Sequence, residues 1–309
     1  MKATYYTPYS FFLQKYFHGK VQKLPIDAGC TCPVRDGKLS RGGCAFCNAC
    51  SFVPPCSTSA ADVKEQLEHG KFFFNHKHKI ATPISYLAYF QSGSNTYSPP
   101  LQMQPLIEAA LQVAHVKGIV LATRPDCIDT AWLNYLHQLS QRTFVLVELG
   151  IESVNDHTLN SMGRGHDYAC SVQAVQKLHA IGIAVCAHLI VGLPGETHDS
   201  IMQQAYEMNR LNIEVIKLHQ LQYLKGSQLG TDYQQHPEHY HVLHVDEYVN
   251  LVADYLERLS PTIAVERFVS QSPSDQLIAP RWGLKNDRLT QLIVDELRAR
   301  GSQQGALLL

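Results

Sequence analysis

The chain alternates between short, nearly unbroken apolar runs and longer stretches whose apolar residues recur at helical spacing. The runs read as strands at 21–27, 84–91 (ISYLAYFQ), 118–123, 143–150 (TFVLVELG), 183–191 (IAVCAHLIV) and 213–219 (IEVIKLH), with another near 262–268. Helices are predicted at 102–116, 129–140, 167–181, 198–211, 246–259 and 286–299. Ser59, with Asp62 three positions on, is a capping pair opening a helix through about residue 73. Pro125 stops the third strand, and Asp129 caps the helix after it. Strands apolar on both faces suit a parallel sheet covered by helices. Their alternation with helices predicts an α/β chain, either a barrel or a doubly wound sheet. In both, functional residues gather at the C-terminal ends of the strands.

Composition narrows the classes. Of 309 residues, 45% are hydrophobic and 17% charged, which leaves ample material for a core. Lys plus Arg is 26 and Asp plus Glu is 27, so no surface-wide nucleic-acid glove is expected. No apolar run approaches transmembrane length, and the N-terminus lacks a signal-peptide pattern. A cytoplasmic protein without membrane contact is therefore expected.

Cysteine placement then changes the picture. Six of the nine, Cys30, Cys32, Cys44, Cys47, Cys50 and Cys56, fall within 27 residues after the first strand. In a reducing compartment such a block reads as a metal or cluster site. Cys44 and Cys47 can hold one centre, and Gly42-Gly43 lets the backbone fold tightly around it. Thiolates suit zinc or iron–sulfur. Zinc would need four closed ligands, the fourth from Cys50 or Cys56, and would make this a zinc-stabilised binding protein. A three-cysteine cluster would leave one iron open. Cys127, Cys170 and Cys186 read as buried structural residues.

Other polar residues sit where strands end. Gln91 and Asn95 follow the second strand, as ligand groups or as a polar turn. Glu148 and Glu152 share one strand face and need partners if buried: a ligand, or an ion-pair network with Arg164. Gly192-Leu193-Pro194-Gly195-Glu196 is a strand-to-helix turn that lets a ligand approach the backbone. Lys217 and His219 face one way on the sixth strand. The run from Lys71 to Lys79 mixes cations with phenylalanines, which fits RNA or a helix end packed in the core. The histidines at 236, 239, 241 and 244 read as a solvated loop or a metal site.

The block Cys32-Pro33-Val34-Arg35-Asp36-Gly37 with Arg41-Gly42-Gly43-Cys44-Ala45-Phe46-Cys47-Asn48 resembles the cluster loop of radical S-adenosylmethionine (SAM) enzymes, and specifically the YhcC/YtqA family, relatives of the Elongator catalytic subunit. Eleven residues separate Cys32 from Cys44, where the wider superfamily has three; the long gap marks this family. Further blocks in the same order are Thr123-Arg124-Pro125-Asp126, Glu148 to Glu152, Arg164-Gly165-His166, His188 to Glu196, Lys217-Leu218-His219 and Ala279-Pro280-Arg281-Trp282.

The resemblance implies a partial TIM-type (βα)6 barrel over residues 21–225, with an N-terminal extension (1–20) and a short C-terminal α/β extension (226–309). It implies Cys32, Cys44 and Cys47 as ligands of a 4Fe-4S cluster, with Cys30 the rival for the first. SAM would bind the fourth iron and be cleaved reductively to a 5′-deoxyadenosyl radical. The implied SAM contacts are Phe46, Gln91, Asn95, Glu148, Glu152, Arg164, Ile190 and Gly192, with Lys217 and His219 on the substrate side. A flavodoxin or ferredoxin would supply the electron. A tRNA wobble uridine is the implied substrate; a small molecule or protein is the alternative.

Overall fold

The computed structural model describes residues 4–48, 62–78 and 84–308. Cys50, Cys56, Ser59 and Lys79, singled out above, lie outside the described residues. The elements run α1 (Tyr9–Leu13), β1 (Lys20–Ile26), α2 (Val63–His78), β2 (Ile84–Phe90), α3 (Pro100–Leu111), β3 (Val116–Thr123), α4 (Thr130–Ser140) and β4 (Phe144–Glu152). They continue with α5 (Asp156–Ser161), α6 (Tyr168–Ala180), β5 (Ala184–Val191), α7 (His198–Leu211), β6 (Val215–Gln220), β7 (Tyr223–Leu224) and α8 (Gln228–Gln235). The last are α9 (Val245–Arg258), β8 (Ala264–Arg267), β9 (Leu277–Ala279) and α10 (Asn286–Ala299).

Local chemistry starts the helices where polar residues interrupt the apolar runs. Asp129 accepts the Trp132 N–H at the head of α4, Asp167 does the same for Cys170 on α6, and Thr197 with Ser200 forms a capping box on α7. Nearly every residue of β2 and β4 is buried, as expected for strands covered on both faces.

Seven strands form one parallel sheet in the order β1-β2-β3-β4-β5-β6-β8, curled into a half-barrel. The strand expected within the C-terminal extension is thus β8, the seventh of the main sheet. β7 and β9 pair antiparallel outside it.

The two ends of the sheet approach each other, because Lys23 of β1 is ion-paired with Glu266 of β8. The N-terminal segment completes this closure. Val265 donates its N–H to the Thr7 carbonyl at 2.8 Å, and Gln304 near the C-terminus bonds Tyr5 and Thr7. Phe12 and Leu13 of α1 pack into the barrel interior against Leu87, Tyr89, Val120, Leu146 and Val215. Residues 5–13 are therefore a plug for the barrel floor. A larger core lies between sheet and helices, and a third cluster under the cysteine loop joins Ala45 and Phe46 to Ile190, Leu193, Leu221 and Tyr223.

Candidate active site

The chain leaves β1 into the cysteine loop at the strand's C-terminal end. Arg35 and Asp36 both donate backbone N–H groups to the Cys32 carbonyl, at 2.8 and 3.2 Å, which turns the chain sharply after the first cysteine. The long gap then folds as a small hairpin, bridged between Asp36 and Arg41. Gly43 ends it with φ +87°, and a Cβ there would lie 3.2 Å from the Arg35 Nε. Its absence lets Arg35 cross beneath and point Nη2 at the Cys47 sulfur, 3.3 Å away. The second half of the loop is pinned from outside: Ala45 donates to the Met162 carbonyl and accepts from Leu229, both at 2.9 Å.

This loop roofs a cavity of about 480 Å³ at the C-terminal mouth of the barrel. Of the expected residues, Cys32, Cys44, Cys47, Phe46, Gln91, Glu148, Glu152, Arg164, Ile190 and His219 line it.

Three do not. Asn95 is fully buried, and its amide NH2 donates to the carbonyls of Phe90, Ser92 and Ala122, so it ties β2 to β3. Gly192 faces Leu243, whose Cδ1 would lie 2.9 Å from an added Cβ. Lys217 is 1% exposed and sits in the floor beneath the cavity. Cys30 borders the cavity, with its thiol 3.5 Å from the Met103 sulfur; burial and Asp27 push it up to about 11.

Near the cysteines the field is positive. Arg164 Nη1 lies 3.5 Å from the Cys44 sulfur and Arg124 Nη1 lies 4.0 Å from it. Burial pushes the Cys47 thiol up, and the Arg35 guanidinium opposes that rise. The guanidiniums of Arg35, Arg124 and Arg164 thus stand beside the Cys47 and Cys44 sulfurs. Arg164 also donates to the Gly150 carbonyl and lies 3.8 Å from Glu152. The β4–β5 register shifts between Gly150 and Glu152, and Glu152 has φ +70°, an uncommon conformation for a non-glycine residue. A Cβ on Gly150 would lie 2.6 Å from Glu152 Oε1 and 2.7 Å from Arg164 Nη2, so glycine leaves both groups room to approach the strand.

The floor is a buried ion network. Glu148 Oε1 pairs with Lys23, and Oε2 takes Lys217 Nζ at 2.6 Å, Tyr89 Oη–H at 2.7 Å and His188 Nε2–H at 2.8 Å. Oε2 thus takes three donors and Oε1 one, so Glu148 borders the cavity as the hub of this network. Burial alone would raise its carboxyl, but Lys217 and Lys23 outweigh that and hold it well below the usual range. Glu266 balances the second ammonium, 3.1 Å from Lys217. Burial and Lys217 lower His188 to about 4, so the imidazole is neutral.

Sequence reasoning did not select Lys23, Tyr89, His188, Glu266 or Arg267, nor the arginines at 35 and 124 as thiol neighbours. Arg35 and Arg124 stand inside the quoted blocks, which is the signal that could have found them. The histidines at 236 and 239 lie with Glu238 on an exposed turn.

A parallel half-barrel with three cysteines and three guanidiniums at its mouth is an α/β fold with a soft donor set at the end where such folds place their sites. Residues 40–204 match the Radical SAM superfamily, and residues 213–299 match the Radical_SAM C-terminal domain. The chain belongs to the radical SAM superfamily. It is 36% identical over 300 residues to YtqA of Bacillus subtilis, covering 97% of this chain and 92% of that one. It is 21% identical over 188 residues to a tRNA uridine(34) acetyltransferase of Methanocaldococcus jannaschii, covering 60% of this chain and 33% of the other. The structure of Methanocaldococcus infernus Elp3 has the same fold, with TM-score 0.70 and 15% identity, covering 93% of this chain and 65% of that one. Among the described residues, no helix is long and apolar enough to cross a membrane.

Membership implies SAM and a 4Fe-4S cluster, and the residues present fit them. The donor set is three soft thiols on one cavity. Beside it, Arg164 Nε and Ser92 Oγ are buried without partners.

Proposed function

We propose that Cys32, Cys44 and Cys47 hold a 4Fe-4S cluster, and that the enzyme uses it to modify tRNA at a wobble uridine side chain. The observation that carries the first half is the convergence of these three thiols with Arg35, Arg164 and Glu152 on one cavity. When bound, the cluster and SAM supply a 5′-deoxyadenosyl radical, formed with one electron from a flavodoxin or ferredoxin, that abstracts hydrogen from the substrate.

The chain's own residues position that chemistry. Glu152, 3.8 Å from Arg164 and otherwise without a hydrogen bond among the described residues, is the carboxylate to accept an ammonium or a ribose hydroxyl. Arg164, with its unpartnered Nε, is the donor for the methionine carboxylate. Gln91 offers an amide at the end of β2, and Phe46 and Ile190 give an apolar wall for the adenine. Glu148 organises the floor and leaves ligand binding to Glu152. The cavity's depth shields a radical from water.

The tRNA half draws support from the likeness to a protein named for tRNA uridine 34. Phe72 and Phe73, exposed on α2, add an aromatic face suited to stacking bases. Two measurements test the proposal. Anaerobically reconstituted protein should hold four irons per chain through these cysteines and cleave SAM under dithionite; a colourless protein that leaves SAM intact refutes the cluster. tRNA from a deletion strain should lose a wobble-uridine modification on nucleoside profiling, and an unchanged profile refutes the substrate.

A further inference from the structure

Three arginines line the cavity, and two are accounted for: Arg35 faces Cys47, while Arg164 faces Cys44 and Glu152. The third, Arg267, stands on β8, across the barrel from the loops that carry the other two. Among the described residues no carboxylate lies within 4.0 Å of its guanidinium. Its Nε and Nη2 instead meet His219 Nε2, at 3.3 and 3.0 Å. A guanidinium only donates, so His219 Nε2 accepts and the proton of the neutral ring sits on Nδ1. Burial and Arg267 hold His219 well below its ordinary range, so the ring does not become a second cation.

The backbone is arranged to deliver this charge. The β6–β8 register slips between Ile216 and Lys217, so Val265 pairs with Ile216 and Arg267 pairs with Lys217. Glu266 is the extra residue, and the bulge lets two consecutive side chains reach the barrel interior. Glu266 goes down to Lys23 and Lys217, and Arg267 goes up into the cavity. Other charges at this end are balanced internally, two ammoniums against Glu148 and Glu266. Among the described residues Arg267 is therefore a net positive charge facing a cavity, partnered by a neutral imidazole and with further N–H donors to offer.

We infer that Arg267 and His219 form the substrate-side anion subsite of this cavity, holding a phosphate or carboxylate group of the molecule to be modified. The inference rests on the radical SAM reading above and adds to it the charge of the substrate. A planar guanidinium holds either oxyanion through two parallel hydrogen bonds, and the His219 Nδ1–H is a further donor. SAM's own carboxylate belongs at the cluster end, beside Arg164.

The test uses reconstituted full-length protein with SAM present, titrated calorimetrically with inorganic phosphate and, separately, with malonate. One of the two should bind at a single saturable site. Arg267→Gln should weaken that binding roughly 10- to 100-fold, the range of a lost charge-assisted pair. Arg267→Lys keeps the charge without the fork and should fall between them. Preference for phosphate assigns the subsite to a phosphate ester, and preference for malonate assigns it to a carboxylic acid. Equal affinity in wild type and Arg267→Gln, or no millimolar binding of either anion to wild type, overturns the inference. Melting curves and cluster absorbance identify a misfolded Gln variant; Arg267→Lys, which must still lose severalfold, then carries the test. SAM cleavage measured on the same wild-type preparation separates the two claims: cleavage without anion binding removes the subsite alone, and anion binding without cleavage removes the radical reading alone.

Discussion

Replacing Lys217 with methionine tests the energetic logic of the cavity floor. The ammonium is buried at 1% exposure, 2.6 Å from Glu148, 3.1 Å from Glu266 and 3.2 Å from the Tyr89 hydroxyl. Methionine fills most of the volume but leaves two buried carboxylates facing Lys23 alone. Breaking a buried pair from one side costs about 3–5 kcal/mol, because a charge remains without compensation. Set against a total stability of about 5–15 kcal/mol, that is a large fraction. At about 2–4 °C per kcal/mol, the midpoint should fall roughly 6–20 °C, and a chain of this size belongs in the lower part of the range. The assay is thermal unfolding followed by circular dichroism, on Lys217→Met and on the double variant with Glu148→Gln. The double variant again has one ammonium and one carboxylate, so it should recover about 1 kcal/mol or more.

The pH dependence has a definite sign. In wild type the Glu148 carboxyl is held below its unfolded value, so its contribution is present above the unfolded pKa and is lost as pH falls through the folded one. In Lys217→Met a carboxyl loses its partner and takes up a proton more readily, so the gap to wild type should narrow on acidification. A variant melting within about 2 °C of wild type, or strict additivity in the double variant, would refute the network as a coupled unit.

Three further outcomes are expected. Cys44→Ala should lose most of its iron on reconstitution and all dithionite-dependent SAM cleavage; iron analysis and product chromatography read both. Gly93→Ala places a Cβ well inside van der Waals contact of the Cys30 carbonyl at φ +72°, so it should destabilise the loop and lower the melting midpoint by several degrees. Glu196 is raised to about 7 by burial, against hydrogen bonds from Ser153 and Gln204. Its contribution is therefore full below the unfolded carboxylate range and lost as pH rises towards 7, and Glu196→Gln should flatten the stability profile over that window.

The strands were readable because each is apolar on both faces, and the helices because their apolar residues recur at helical spacing, with Asp129 where α4 needs a cap. The seventh strand was visible as a short run, but its place in the main sheet was not. That place depends on pairing with β6 and on contacts with residues 7 and 8, far away in sequence. The plug escaped notice for a similar reason: five residues of aromatic helix carry no period. The cysteine loop was legible through its block of residues. The network beneath it was not, since Lys23 on a half-apolar strand looks like any solvated lysine until residues 125 and 243 positions away arrive. Asn95 shows how far a polar residue after a strand depends on its surroundings: its NH2 group meets three backbone carbonyls that the sequence does not bring near it.

The closure of the barrel by both chain ends sets an order of events during synthesis. The cysteines emerge early, whereas Glu266, which pairs with Lys23, follows Cys47 by 219 residues. At the usual pace of translation that interval is about 10–45 s. Throughout it the thiols belong to a sheet whose last strand has not been made, accessible from the side that later becomes the barrel interior. Once residues 265–304 arrive and engage the N-terminal segment, the remaining approach is through the mouth. Delivery of iron and sulfide before and after that moment would therefore meet two different obstacles.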